Sequence, residues 1–301
     1  MIGAMGFDAV TGLGALAADL GSEVVFAEPA PWGDSAATHR VQLRDDRIVA
    51  ARYLSGPDAI GRAGVIAERI ERFHVAGIPT SHPARVLRAP AGGAWVVCPW
   101  LDGRLGSASL VTSADTVRLA TRMGALSTRI AAIDPEDVPL DRTWSRRDDL
   151  LSSAEAWSAA VGDALDATLR GAVGSAIDRL GTSWTEDGPW ESVVAHGDFV
   201  PINVVDVPSG GLVLLDLEDV ALAPRLFDLA WWGWVVRFHH PDAWDSGWPA
   251  LLEGAGLTRD AALDEAAVLI ARLRCLERAA RLPPGPGRDR WLDRLRATAD
   301  W

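Results

Sequence analysis

The sequence predicts an α+β protein of two lobes: a small β-rich N-lobe over residues 1–103 and a larger, mostly helical C-lobe over residues 104–301. Three observations support this. Short apolar runs bounded by turn residues fill the first hundred positions. Longer stretches with helical spacing of apolar residues dominate the remainder. A chain of 301 residues, 49% hydrophobic, is too long for one small core and can bury two.

In the first part, residues 1–22 read as a short helix with glycine punctuation, and 24–27 as a strand. Residues 39–43 and 48–54 read as two strands joined by Arg44-Asp45-Asp46-Arg47, a hairpin. Ile66, Ile70 and Phe73 share one face of a helix over 58–76, which Gly77-Ile78-Pro79 ends. Strands follow at 86–87 and 95–100. After Leu101-Asp102-Gly103 a long helix is expected over 113–133, with Asp115 as its cap. Another helical stretch covers 148–182, a strand-rich segment 191–217, and further helix 227–301.

Composition narrows the chemistry. All 29 basic residues are arginine, so there is no lysine for a Walker A loop, a Schiff base or a Ser–Lys dyad. A net charge of −12 argues against a nucleic-acid partner and favours a cationic small substrate. No apolar run reaches the ~18–20 residues that span a bilayer. With no basic segment ahead of an apolar stretch at the start, no signal peptide is expected. The two cysteines, Cys98 and Cys275, lie far apart in apolar surroundings, which predicts neither a disulfide nor a zinc cluster and suits a reducing cytoplasm.

The segment richest in chemistry runs over 193–230, VVAHGDFVPINVVDVPSGGLVLLDLEDVALAPRLFDLA. A strand at 193–195 leads into His196-Gly197-Asp198. Two apolar runs, 203–207 and 212–216, flank Pro208-Ser209-Gly210-Gly211, which reads as a hairpin. A turn centred between Ser209 and Gly210 sets Asn203 opposite Asp216, on one face. Their oxygens suit a hard divalent cation such as Mg2+. Asp198, on the loop feeding the same end, is left to orient a hydroxyl and accept its proton. Phosphoryl transfer divides its labour in this way.

The order H-x-D-x(4)-N followed by an aspartate after the next strand resembles the catalytic segment of protein kinases. The form here, HGDFVPIN then LDLED, with Pro224 and Asp228-Leu229-Ala230 downstream, more closely resembles the aminoglycoside phosphotransferase and choline kinase superfamily. The resemblance implies a protein-kinase-like bilobal fold and a small-molecule kinase using ATP or GTP with Mg2+. It implies Asp198 as catalytic base, Asn203 and Asp216 as metal ligands, and His196 as a brace for the catalytic loop. It gives Asp228 a structural part, capping the following helix.

In the N-lobe the resemblance places Arg52 where many members carry a phosphate-binding lysine. Arginine is permanently charged and keeps that role chemically possible. The helix glutamate that partners this position is less well matched: the expected spacing falls on Ile66, with Glu68 two residues away. Residues 95–103 resemble the segment between lobes, with the Pro99 carbonyl and Leu101 amide as candidates for reading the nucleobase. Residues 32–37 resemble the nucleotide-covering loop, with Ser35 as its polar side chain.

The acceptor implied is a small hydroxylated molecule. GC-rich, lysine-free coding together with the resemblance points to an aminoglycoside-like antibiotic, in resistance or self-protection. A metabolic kinase for an amino sugar, choline-like or homoserine-like acceptor stays open, as does a nucleotide-binding pseudokinase. Trp231, Trp232 and Trp234 are candidates for stacking on an acceptor ring. Asp102, Glu218, Asp219, Asp242 and Asp245 are candidates for meeting a cation.

Overall fold

The computed structural model describes residues 12–30, 38–185 and 188–298. They divide into two compact units, one built from residues up to Arg104 plus Val204–Glu218, the other from Leu105–Asn203 and Asp219 onward. The sequence reading had kept 204–218 with the second part; by its contacts this hairpin belongs to the first unit.

The first unit opens with helix α1 (Leu13–Leu20) and strands β1 (Val24–Pro29), β2 (Thr38–Leu43) and β3 (Ile48–Leu54). Helix α2 (Ala59–Val75) precedes β4 (Arg85–Arg88) and β5 (Ala94–Pro99), and the two-residue β6 (Arg104–Leu105) lies at the unit boundary. The five-stranded sheet has the order β1-β2-β3-β5-β4, with every pair antiparallel. Alternation makes this sheet: along β2 every second residue, His39, Val41 and Leu43, is buried. Leu16 and Leu20 of α1 pack with Val41, Leu43, Val49, Ala51, Trp95 and Val97 as one core. The β2–β3 turn closes with Asp46 in the left-handed region (φ 66°), which aspartate tolerates better than most residues.

The second unit is mainly helical, with α3 (Ser113–Ala131), α4 (Arg147–Val161), α5 (Ala167–Ser183), α6 (Phe227–His239), α7 (Pro241–Gly254), α8 (Ala261–Ala280) and α9 (Pro286–Ala297). The helical stretch expected over 148–182 is made of two helices, because Gly162 takes a positive φ of 55° and a short 3-10 turn intervenes. The cap of α3 is Thr112, whose hydroxyl accepts from the Asp115 amide; Asp115 itself sits in the first turn. Strands β7 (Ser192–Ala195) and β10 (Ala221–Pro224) pair antiparallel in this unit. Its core joins Trp231 and Trp234 of α6 with Ala271, Cys275 and Leu276 of α8 and Leu292 and Leu295 of α9. Both cysteines are free thiols and buried, Cys98 in the first unit and Cys275 in the second. Among the described residues no helix is long and apolar enough to cross a membrane.

The hairpin of β8 (Val204–Asp206) and β9 (Leu212–Leu214) corrects the expected register. Val204 pairs with Leu214 and Asp206 with Leu212, one residue away from the pairing that sets Asn203 against Asp216. The cause is the turn. Gly210 donates to the Val207 carbonyl and the Val207 amide to that of Gly211, while Gly210 takes φ 87°. The loop is therefore three residues long with a left-handed glycine at its end, rather than a two-residue turn. Asn203 falls in a 3-10 turn before β8, and Asp216 follows β9 with φ 55°, so neither belongs to the ladder.

Candidate active site

In the second unit β7 delivers the chain into His196-Gly197-Asp198. This loop is held at each residue. The His196 and Gly197 amides donate to the two oxygens of Asp228, at 2.7 and 3.0 Å. The Asp198 amide donates to Nδ1 of His196 at 3.2 Å, and the His196 ring is fully buried, edge-on to Phe199. Asp228 thus acts on the loop and not as the helix cap the sequence suggests. Helix α6 begins at Phe227, and Leu226 precedes it with no side-chain cap. Burial pushes the Asp228 carboxyl up from its ordinary value, and His196 together with the two amide donors opposes that.

Gly197 has φ 87°, and a Cβ there would stand 1.9 Å from the Asp219 carbonyl oxygen. The tripeptide needs glycine both for its conformation and for this close approach. Its carbonyl accepts from Arg274 at 2.6 Å. Arg274, 3% exposed on α8, also bonds Glu277 at 2.5 Å and lies over the Phe227 and Trp231 rings. Glu277 is itself shared with Trp144 and Arg281. Arg274 Nε has no partner among the described residues, but both terminal nitrogens of this buried guanidinium are bonded, which fixes geometry whatever the net worth in stability.

The Asp198 carboxylate is half-buried and each oxygen has one donor. Oδ2 accepts from Asn203 Nδ2 at 2.9 Å, and Oδ1 from Trp231 Nε1 at 2.8 Å. The same Asn203 nitrogen reaches the Asp198 carbonyl at 2.8 Å, so its amide oxygen is left available as an acceptor. Trp231, Trp232 and Trp234 are each at most 3% exposed, which removes them as stacking surfaces for an acceptor. Trp232 donates to Met123 Sδ. Asp219 is likewise engaged, with Arg278 and Arg274.

Asp219 carries a pH signature. Burial alone would raise its carboxyl, but Arg278 and Arg274 outweigh that and hold it below the usual carboxylate value. A carboxyl depressed in the folded state stabilises the fold above its unfolded value of about 4 and loses that contribution as pH falls through the folded value. Asp219→Asn is therefore expected to lower Tm at neutral pH. The gap from the parent protein should narrow as pH drops below about 4, measured by thermal melts across pH.

In the first unit Arg52, on β3, is bonded through Nη1 to Asp216 Oδ1 at 2.5 Å and through Nη2 to Glu218. Glu68 does not take part: it pairs with Arg72 one turn along α2, and both are about half exposed. What α2 contributes instead is a cation. Arg69, 8% exposed, donates to the Leu217 and Glu218 carbonyls. The acidic partner of Arg52 thus comes from the segment after β9. Nothing in the helix spacing signals this.

Of the other candidates, the Pro99 carbonyl already accepts from the Ser81 hydroxyl at 2.6 Å and retains a second lone pair. The Leu101 amide donates no hydrogen bond among the described residues. Ser35 and the rest of 31–37 lie outside the described residues. Asp216 keeps Oδ2 beyond its bond to Arg52, and Asn203 keeps Oδ1; both are hard oxygen donors of the kind Mg2+ takes. Among the described residues no three His, Cys, Asp or Glu side chains gather to hold a metal by themselves.

The profile of the phosphotransferase enzyme family, APH, matches residues 27–263, and the chain belongs to that family. Its enzymes transfer phosphate to small molecules. Solved structures share the fold. The GDP and kanamycin complex of an aminoglycoside 2″-phosphotransferase superposes with a TM-score of 0.70 at 14% identity, covering 95% of this chain and 97% of that one. A macrolide 2′-phosphotransferase from Brachybacterium faecium gives 0.65 at 18% identity, covering 96% and 98%. A choline kinase from Streptococcus pneumoniae gives 0.64 at 14% identity, covering 95% and 97%. A search among curated proteins finds no significant sequence match. The fold is the protein-kinase-like bilobal α+β one that the sequence predicts.

Proposed function

We propose that this protein transfers the γ-phosphate of ATP or GTP to a hydroxyl of a small molecule, with Asp198 as the base. The observation that carries this is the Asp198 carboxylate, aimed by one donor on each oxygen at the end of a loop that Asp228 and Arg274 hold in place. Such a group can accept the proton of an attacking alcohol while phosphorus is displaced from the β–γ bridging oxygen. His196 braces the loop through its ring nitrogen. Arg52 is the phosphate-side cation, and the Pro99 carbonyl and Leu101 amide meet the nucleobase. Asn203 and Asp216 supply oxygens to Mg2+, which when bound offsets the charge on the phosphates.

The acceptor we favour is an aminoglycoside-like antibiotic, giving resistance or self-protection in the cytoplasm. The chain's net charge of −12 suits a cationic substrate. The aminoglycoside phosphotransferase structures it resembles were solved with kanamycin and with streptomycin. The test is incubation with Mg2+ and ATP or GTP against aminoglycosides, macrolides, amino sugars, choline and homoserine, read by product mass. A gain of one phosphate on one of the antibiotics supports this reading. Transfer only to choline, homoserine or an amino sugar replaces it with a metabolic kinase, and nucleotide binding without any product replaces it with a pseudokinase.

Arg52 gives a second handle. Arg52→Ala removes a charged donor and releases Asp216 and Glu218 from their cation. Nucleotide affinity is expected to fall by about 10–100-fold, the scale of a hydrogen bond to a charged group, measured by titration calorimetry with Mg-ATP and Mg-GTP.

A further inference from the structure

Trp231 is a buried aromatic whose one polar atom points at the residue assigned to the chemistry. We propose that its indole is a positioning residue for Asp198, fixing the carboxylate plane for the attacking hydroxyl. This inference rests on the reading of Asp198 as the base.

An indole has one N–H and no acceptor, so it can take part only as a donor. Trp231 Nε1 gives that bond to Asp198 Oδ1 at 2.8 Å, while Asn203 Nδ2 occupies Oδ2 at 2.9 Å. With both oxygens tethered, rotation of the carboxylate about its terminal bond is stopped. Each oxygen still has lone-pair capacity for the incoming proton. A hydroxyl donor at Trp231's place could rotate and reverse its polarity; the indole cannot.

The ring is closely packed. Trp231 is 2% exposed, stacked on Trp234 with centroids 5.2 Å apart and planes 13° apart. Trp291 of α9 stacks on it at 5.9 Å, and the Arg274 guanidinium lies over it at 5.8 Å. Arg274 is also the residue that bonds the Gly197 carbonyl, so one cation touches both the loop and the ring that aims its aspartate. Three helices, α6, α8 and α9, thereby fix one donor. A side chain held so firmly restrains its partner at little entropic cost during reaction.

The test uses the full chain with 15N-labelled tryptophan. Trp231→Phe keeps an aromatic ring in the stack and removes the donor together with part of the bicycle, so its thermal melt is compared with the parent's to separate packing from donor loss; it also identifies the Trp231 indole signal among the fourteen. That signal is expected to be the one that moves most in Asp198→Ala. An indole signal indifferent to Asp198→Ala overturns the proposal, and this measurement needs no activity. In turnover of Mg-ATP or Mg-GTP, with water and then kanamycin as acceptor, Trp231→Phe should lower kcat by about 10–100-fold with nucleotide KM unchanged. Combined with Asp198→Ala it should cost nothing further. Full kcat in Trp231→Phe, or an additive loss in the double variant, overturns the positioning role while leaving Asp198 as the base. Activity retained in Asp198→Ala overturns the underlying reading instead.

Discussion

Asp198→Ala should reduce phosphate transfer by about 10²–10⁴-fold, the range a positioned general base supplies, and leave nucleotide affinity nearly unchanged. Geometry separates the two effects. Asp198 is bonded to Asn203 and Trp231 in its own unit, whereas Arg52, the cation proposed for the phosphates, is bonded to Asp216 and Glu218 in the other. Truncating Asp198 leaves the loop anchors intact, since the Asp198 amide still donates to His196 and Asp228 still holds His196 and Gly197. The fold should survive, and circular dichroism with a thermal melt checks that. Asp198→Asn is the sharper control. It keeps the shape, but an amide cannot serve as the base. A variant at this position that turns over at the parent rate would remove the assigned role.

Asp228→Ala should be the most destabilising single change in the site. Asp228 is 3% exposed and satisfies the backbone amides of two buried residues, His196 and Gly197. Truncation leaves both donors buried and unsatisfied, at roughly 1–3 kcal/mol each. A total of about 2–6 kcal/mol corresponds to a fall in Tm of roughly 3–10 °C for a chain of this size. Asp228→Asn keeps one carbonyl oxygen and turns the other position into a donor facing a donor, so it should fall between parent and alanine. Because the same amides shape the approach to Asp198, the residual folded protein should also be slow. Parent-like melting in Asp228→Ala would show that the loop does not depend on this brace.

Much of the fold could be read in the sequence because alternation and helical spacing are local. Strand β3 falls on 48–54 as expected, and α2 differs by a residue at each end. The helical stretch over 148–182 is present, but its division at Gly162 is not legible, because apolar residues keep helical spacing on both sides of the break. The β8–β9 register failed for a single dihedral. A left-handed Gly210 lengthens the turn by one residue and moves every pairing with it. In the site, the HGD motif is contiguous and so was legible, but its supports are not. Trp231 reaches Asp198 across 33 residues and Arg274 reaches Gly197 across 77. The Arg52 partner was sought at helix spacing on α2, where convention puts a glutamate. The acids that hold it, Asp216 and Glu218, come 164 and 166 residues later, and no local pattern on α2 marks them.

The two thiols have a use that follows from where they sit. Cys98 is 8% exposed in the first unit and Cys275 fully buried in the second. Burial pushes both up, Cys98 to about 11, so at neutral pH almost no reactive thiolate is present. A disulfide reagent can therefore reach either sulfur only when the surrounding structure opens. With no third cysteine in the chain, the labelling rate at Cys98 reports the breathing of one unit and that at Cys275 the breathing of the other. The molecule carries an intrinsic pair of kinetic probes, and nucleotide added during labelling would reveal which of them it quiets.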